Sequence, residues 1–545
     1  MWIVHETLLA KGFEFVRPPA VYRGPLPVHG KRALVEINIP DVSFARRPVV
    51  RLLDSSELPV KRLAHLIGDS AICYAGAGGL PLDYYDPGGS ILRVLIEAAV
   101  ALERSFGGKA SEEFERELSS YWEGKWLLFA VPRKPEPAII YADAIDHTDE
   151  DATGVVVVPR GEWKERDSRG RAASTILNFS GDLRHPSVFP FPNMSTAVAY
   201  IGAQARPPAG WRKAVLAATA AEEYLFLAGP NAIFGWRARL PGPLEVIRAR
   251  KNGFRPDFFA KALERSLDKT ELHRVTGHEA DLEFCVRRNL GGDAGLVGKR
   301  VALVGCGTIG GYLGRMLVQS GAGCGAQLRL YDTDTLSPGN LGRHLLGFDD
   351  IGKNKADALA ANLKAFHPDV NVKSFGLDAT KEWPELEKAD LIIDATGDLN
   401  VATILNELFL KSAQTGDNLA LLHTWVFGNG VSGQSFLNLK DGGVCFRCLK
   451  TGFDGKWRYN PLKDPSSPLQ EAPARCGEGA YVPFAVDASV AAAGLALRAA
   501  LDWAQGKPGH RLRTVIVDHE AGRDKVPWVS PNPLSNCSAC GSQTS

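Results

Sequence analysis

Several groups of residues along this chain have the types and spacing that chemistry needs. The first is Gly305-Cys306-Gly307-Thr308-Ile309-Gly310, which follows the apolar run Val301-Ala302-Leu303-Val304. Glycines spaced this way between a strand and a helix let backbone approach a phosphate, and the helix N-terminus favours negative charge. The same turn also serves NAD and FAD sites. Asp332 ends the next apolar run, a spacing that suits a carboxylate accepting hydrogen bonds from ribose hydroxyls. Then come Asp334, Asn340-Leu341-Gly342-Arg343 and Gly352-Lys353-Asn354-Lys355. Hydride transfer has no need of this set, whereas cleavage of ATP between its α- and β-phosphates does. Arg343 and Lys355 suit a triphosphate, and Asp334 or a later carboxylate suits Mg²⁺. The plain alternative is a solvated charged loop.

Cysteines form the second group. Cys445-Phe446-Arg447-Cys448 pairs with Cys537-Ser538-Ala539-Cys540. Two such units make a tetrahedral four-thiolate Zn²⁺ site with no position left open for catalysis. The long separation suits a clip that pins the segment around Cys537 to the domain body; the alternative is two unrelated pairs. Cys476 lies between them in Ala474-Arg475-Cys476-Gly477-Glu478-Gly479. Its glycines suggest a mobile loop, and Arg475 favours the reactive thiolate. Cys285, Cys306 and Cys324 read as packing residues. Cys73 stands in Gly68-Asp69-Ser70-Ala71-Ile72-Cys73, eight residues after His65; by composition alone such residues are more often structural.

The elements that must position these residues fall into three regions: 1–126, 127–275 and 276–545. In the first, Ala20–Gly24, Arg32–Pro40 and Pro48–Leu53 alternate and are punctuated by proline, which predicts an antiparallel meander. A helix is predicted over Ser90–Phe106, with Leu92, Leu95, Ile96, Ala99 and Leu102 on its apolar face. The second region has charged turns and proline-rich bends; it reads as a folded connector without an assignable role. The third alternates strands (Arg300–Val304, Leu328–Tyr331, Leu391–Ile393, Thr514–Val517) with helices (Ile309–Ser320, Lys353–Phe366, Val486–Ala504). That alternation predicts a parallel, doubly wound sheet.

Bulk properties narrow the classes. The 545 residues suggest two to four domains, and 45% hydrophobic with 23% charged residues is ordinary globular material. Lys and Arg number 63 against 62 Asp and Glu, which gives no broad attraction to nucleic acid or anionic membrane. No signal peptide is visible at Met1–Glu6. The most apolar stretch, Ala488–Leu497, is shorter than the roughly 20 residues that span a bilayer. A cytoplasmic protein is expected, with its nine cysteines reduced.

Gly305–Gly310, Asp332, Asp334, Asn340, Arg343 and Lys355 together resemble the adenylation domain shared by ubiquitin-activating enzymes and the bacterial thiamine and molybdopterin activators. The resemblance covers about half the chain. It implies a Rossmann-like α/β domain with a structural zinc that uses ATP and Mg²⁺ to adenylate a C-terminal glycine carboxylate. It also implies a homodimer whose site receives an arginine from near the start of the domain, where Arg287 and Arg288 stand. That family often has a Mg²⁺-binding Asp at the position of Gly397; here Asp398 is the candidate replacement. Cys476 is similar to the cysteine that takes the acyl group as a thioester. The first region resembles the α+β ubiquitin-conjugating fold, with Cys73 as the thioester carrier, although the His-Pro-Asn triplet is absent, since Leu66 and Ile67 follow His65. Such fusions resemble bacterial enzymes that modify cyclic-oligonucleotide synthases in antiphage operons, and bacterial ubiquitin-like conjugation systems. The implied partners are a protein with a C-terminal glycine (ubiquitin-like or a cyclic-oligonucleotide synthase) and target lysines. A sulfur-carrier adenylyltransferase and an NAD(P)-binding oxidoreductase are the alternatives.

Overall fold

The computed structural model describes residues 2–58, 63–75, 79–106, 110–146, 155–160, 171–248, 256–412, 419–452, 456–472 and 481–541. Two compact units divide the chain, Met1–Ala280 and Asp281–Ser545.

The first unit begins with a helix, Trp2–Ala10, and an antiparallel sheet whose main strands are Glu14–Arg17, Val21–Val28, Lys31–Asn38 and Val49–Asp54. The short strands Leu66–Ile67 and Ala71–Ile72 complete it and lead directly into Cys73. The helix Pro87–Glu103 packs against this sheet. Pro87 opens it, and Asp86 caps it by accepting the Gly89 N–H at 2.9 Å, a favourable start for a helix. Its core face is one position away from expectation. Ile91, Val94, Leu95, Ala98, Ala101 and Leu102 are buried, while Ile96 is 61% exposed. Apolar residues surround this helix on most sides, so periodicity alone does not select the face that docks.

A seven-stranded closed barrel fills the rest of the unit. Its strands run in the order Arg171–Asn178, Tyr224–Gly229, Ala232–Arg239, Glu271–Glu279, Lys125–Phe129, Val155–Pro159 and Ala138–Asp146. Lys125–Phe129 and Glu271–Glu279 cross the two expected boundaries, at 126/127 and 275/276. They pair in parallel with each other, closing strands from distant sequence so that no edge is left unpaired. Trp122 is fully buried against it, donating its indole N–H to Gly235 O at 2.7 Å among Phe189, Phe191, Phe234 and Trp236.

The second unit holds a seven-stranded sheet in the order Val372–Phe375, Leu328–Tyr331, Val301–Val304, Leu391–Asp394, Ala420–Phe427, Ser432–Asn438 and Leu512–Ile516. The first five are parallel. The last two are antiparallel additions, so the strand expected over Thr514–Val517 lies at an antiparallel edge. Helices form over Thr308–Gln319, Lys355–Phe366 and Val486–Ala504. The last of these buries Ala488, Ala492, Ala496 and Ala500; small side chains let a helix sit close to a sheet. Among the described residues no helix is long and apolar enough to cross a membrane. Chain order reverses about the strand Val301–Val304, which makes the crevice at its carboxyl end the natural ligand site of such a sheet.

Candidate functional site

At that crevice lies a cavity of about 770 Å³. Gly305 has φ of +87°, and a Cβ there would stand 2.8 Å from Thr396 N. A Cβ on Gly310 would stand 1.8 Å from Gly305 O. Both positions therefore exclude side chains, and the tight turn they permit aims the helix Thr308–Gln319 at the cavity. Gly307 lines it with open space where a Cβ would be, so its backbone is accessible to a phosphate.

Asp332 lies on the wall, accepting Cys306 N–H at 2.6 Å on Oδ2 and Asp334 N–H at 2.8 Å on Oδ1. Burial raises its pKa, and the two amides oppose that. Lys355 is buried, with Nζ 3.0 Å from Asp334 Oδ2. Arg343 donates to Val482 O at 3.0 Å and lies 4.4 Å above the Phe484 ring, so its orientation is set by the segment after residue 480. Asn340 lines the cavity from the short turn Pro338–Arg343, where it accepts from Ser337 N at 3.0 Å. The structure thus gathers Gly305, Gly307, Asp332, Asp334, Asn340, Arg343, Lys355 and Asp398 around one space. Gly310 shapes the turn without lining it. Two cations, open amides and a half-buried carboxylate are a donor set that fits ATP.

Asp398 caps the helix Leu399–Lys411, accepting Asn400 N–H and Val401 N–H on Oδ1 at 2.7 and 3.1 Å. Gly397, beside it, has φ of +68°. Arg287 pairs with Glu283 at 2.8 Å, and Arg288 is exposed on the helix Leu282–Asn289. Neither arginine lines the cavity of its own chain. Cys476 falls outside the described residues.

Sequence reasoning missed three contributors. Thr308 Oγ1 donates to Arg343 O at 2.7 Å and lies 2.5 Å from Ser489 Oγ. His344 is buried, its Nδ1 accepting Leu346 N–H and its Nε2 2.9 Å from Cys306 O, which fixes the proton on Nε2; burial lowers its pKa. Asp394 accepts from Thr396 and lies 2.8 Å from His423 Nδ1. Thr308 stands inside the glycine turn, His344 directly after Arg343, and Asp394 shortly before Gly397, but no motif assigned them a role.

Cys445, Cys448, Cys537 and Cys540 converge, with all four sulfurs within 4.8 Å of one another. Cys445 lies 3.8 Å from Cys448 and 3.7 Å from Cys537, and Cys448 lies 3.4 Å from Cys540. A tetrahedron with bonds of about 2.3 Å needs sulfurs this close, and four thiolates at such range repel unless a cation joins them. Leu534 N–H donates to Cys448 Sγ at 3.4 Å. Cys306 is wholly buried, as a packing residue would be, and Cys285 and Cys324 are half-buried.

Cys73 is half-buried, and its N–H donates to His65 O at 2.7 Å. His65 is itself buried with φ of +62°. Its N–H donates to Glu117 Oε2 at 3.1 Å and to the Tyr121 hydroxyl at 2.8 Å. Its Nδ1 lies 2.6 Å from Glu117 Oε1, and its Nε2 3.4 Å from Glu113 Oε2. Burial, reinforced by the Glu117 carboxylate, pushes the Cys73 thiol above its ordinary pKa. Burial also raises Glu117, but hydrogen bonds from His65 and Tyr121 outweigh it and hold the carboxyl below its usual range. Glu113, Glu117 and Tyr121 lie some 40 to 50 residues beyond Cys73, with no local signal to associate them with it.

Two family models match the chain: the ThiF family over residues 289–538 and prokaryotic E2 family B over residues 13–131. A Pseudomonas aeruginosa protein named ATP-dependent ubiquitin transferase-like protein Cap2 is 30% identical, over 99% of this chain and 98% of its own length. An Escherichia coli protein of the same name is 34% identical over 48% of this chain and 44% of its own. A crystal structure of E. coli MccB with MccA-N7isoASN aligns at 18% identity and a TM-score of 0.35, over 53% of this chain and 84% of that one; likeness at that level carries no weight. Fold, cavity and matched regions define an enzyme that joins ATP-dependent activation, in a ThiF adenylation domain, to ubiquitin-like conjugation by an E2 domain. The chain belongs to the Cap2 family of ATP-dependent ubiquitin transferase-like proteins.

Proposed function

We propose that this enzyme adenylates the C-terminal glycine of a protein, receives the acyl group on Cys476, passes it to Cys73 and delivers it to a lysine. The carrying observation is the single cavity that joins the glycine turn to Asp332, Arg343 and Lys355. In the first step a carboxylate oxygen attacks the α-phosphorus and pyrophosphate leaves. Asp332 holds the ribose, and Arg343 and Lys355 offset the charge that develops on the phosphates. Binding ATP would require Lys355 to exchange Asp334 for phosphate oxygen. Mg²⁺ would neutralise further phosphate charge, and the carboxylates able to hold it are Asp334 and Asp398.

The Cys476 thiolate then attacks the acyl carbon and AMP leaves. Val482, on the cavity wall, is six residues beyond Cys476, a reach of up to about 20 Å. The Cys73 thiolate attacks the resulting thioester and Cys476 leaves as thiolate. A lysine amine finally attacks the Cys73 thioester, loses its proton and expels the thiolate. A raised Cys73 pKa favours acyl transfer toward Cys73, because the more basic thiolate is the poorer leaving group. The four-cysteine cluster holds zinc, and Arg288 serves the site of a second copy in a homodimer. The protein activated is ubiquitin-like or a cyclic-oligonucleotide synthase, and the setting is antiphage defence in the cytoplasm.

Incubation with ATP, Mg²⁺ and candidate partner proteins, resolved on non-reducing gels, tests this order. Cys476→Ala should abolish both thiol-sensitive adducts, and Cys73→Ala should retain the one on Cys476 while conjugates disappear. Conjugation that persists in Cys73→Ala, as in a sulfur-carrier activator that has no use for this cysteine, would overturn the transfer route. Failure to release pyrophosphate with any tail would overturn the reading itself.

A further inference from the structure

Beside the nucleotide cavity opens a second one of about 430 Å³. The two adjoin, sharing the wall residues Gly397, Asp398, Val426, Gly428 and Leu469. Aromatic rings build the second wall: Trp425 and Trp457 stack with centroids 5.6 Å apart, and Phe446 stands edge-on to Trp425 at 5.7 Å. Among the described residues, two polar atoms of this wall's side chains are buried without a hydrogen-bond partner, Trp425 Nε1 and His423 Nε2. Such atoms are costly to leave unsatisfied. Trp425 Nε1–H can only donate. His423 is 1% exposed and turns Nδ1 to Asp394 at 2.8 Å; with the proton there, the neutral ring offers Nε2 as an acceptor. One donor and one acceptor match the C=O and N–H of an extended peptide. Among the described lining residues there is no Lys or Arg, while Asp394 and Asp398 are both present.

We infer that this cavity seats the tail of the protein being activated and selects an apolar, preferably aromatic, side chain two to four residues before its terminal carboxylate. The inference rests on the adenylation reading above, which puts that carboxylate at the α-phosphate in the adjoining cavity. An extended peptide advances about 3.4 Å per residue, so a carboxylate at the α-phosphate leaves the preceding residues within reach of the adjoining aromatic cavity. Trp425 Nε1–H donates to a tail carbonyl and His423 Nε2 accepts a tail N–H. An acidic side chain at these positions enters an aromatic wall with no Lys or Arg among its described residues.

The test uses the full chain with ATP, Mg²⁺ and synthetic octapeptides ending in glycine. Residues two, three and four from the end are Phe, Leu, Ala or Asp in turn, and ATP–pyrophosphate exchange is read. At one of the three positions Phe or Leu should exceed Asp at least ten-fold in kcat/KM. Trp425→Phe and the cavity-filling Ser467→Trp should each reduce that preference, raising the KM for peptide more than the KM for ATP. Equal exchange with every peptide, or a preference untouched by both variants, overturns the inference and leaves adenylation standing. Absence of exchange with every peptide overturns the adenylation reading and this inference with it.

Discussion

Around the nucleotide cavity, the lining residues come from the carboxyl ends of neighbouring parallel strands: Gly305 after Val301–Val304, Asp332 after Leu328–Tyr331, Asp398 after Leu391–Asp394. Around Cys73 they come from elsewhere. His65 is held by Glu113, Glu117 and Tyr121, which follow the meander and its long helix in sequence. A doubly wound sheet delivers every βα turn to one edge, so its site is written locally. The Cys73 environment is a tertiary assembly in which burial, reinforced by a distant carboxylate, raises the thiol's pKa. The first site is prepared for charge, with two cations facing a cavity. The second has an acidic neighbour that discourages the thiolate.

The sharpest way to break this contrast is at Lys355. If the cavity's cations stabilise transferring charge, Lys355→Ala should reduce ATP–pyrophosphate exchange by roughly 100-fold or more, while a preformed thioester on Cys73 still reacts with amines. An effect below ten-fold would mean that the cavity's charge is ornamental. Next in size is the thiolate cluster. The purified chain should carry one zinc, and Cys540→Ser should lose it and lower the melting temperature by on the order of 10 °C. Melting unchanged by chelator would remove the metal from the fold.

Smaller effects probe the conjugating-like region. Val94→Ala, in the buried face of Pro87–Glu103, should cost about 2 kcal/mol by denaturant titration, and Ile96→Ala less than about 0.5 kcal/mol. The reverse order would restore the face that periodicity predicts. The smallest change is expected at Glu117. Glu117→Gln removes the negative charge that helps raise the Cys73 thiol, so alkylation of Cys73 near pH 8 should accelerate by a few-fold; a slower or equal rate would remove Glu117 from that role. Stability should show the complementary sign. Because the native Glu117 carboxyl lies below its ordinary pKa, its contribution is complete above roughly pH 4.3 and is lost as pH falls through the native value. Wild type and Glu117→Gln should therefore converge in stability in acid.

The difference between the regions also explains what could be read in advance. The glycine turn, Asp332, Arg343 and Lys355 lie on turns and a helix start beyond the strands' carboxyl ends, and the cavity brings them together. The helix over 486–504 was legible to the residue because an alanine-rich run has one strong preference. The barrel was not. Its closing partners, Lys125–Phe129 and Glu271–Glu279, lie far apart and pair in parallel, and no local pattern encodes that closure. Nor could Ile96 be placed outside on a helix apolar on most sides. Tyr121, His344 and His423 carried no motif, since their roles depend on burial and on partners set by the fold.

The thiolate cluster ties residue 448 to residue 537, and the chain between them carries the wall residues Val482 and Phe484, the helix Val486–Ala504 and the edge strand Leu512–Ile516. Closing a loop of that length costs roughly 4 kcal/mol of chain entropy, which a bound metal exceeds. Electrophiles or oxidants that cap one of those sulfurs would therefore loosen the hold on the segment around Cys537 without touching the nucleotide cavity. Redox stress would then reach the antiparallel edge of the sheet through its anchor.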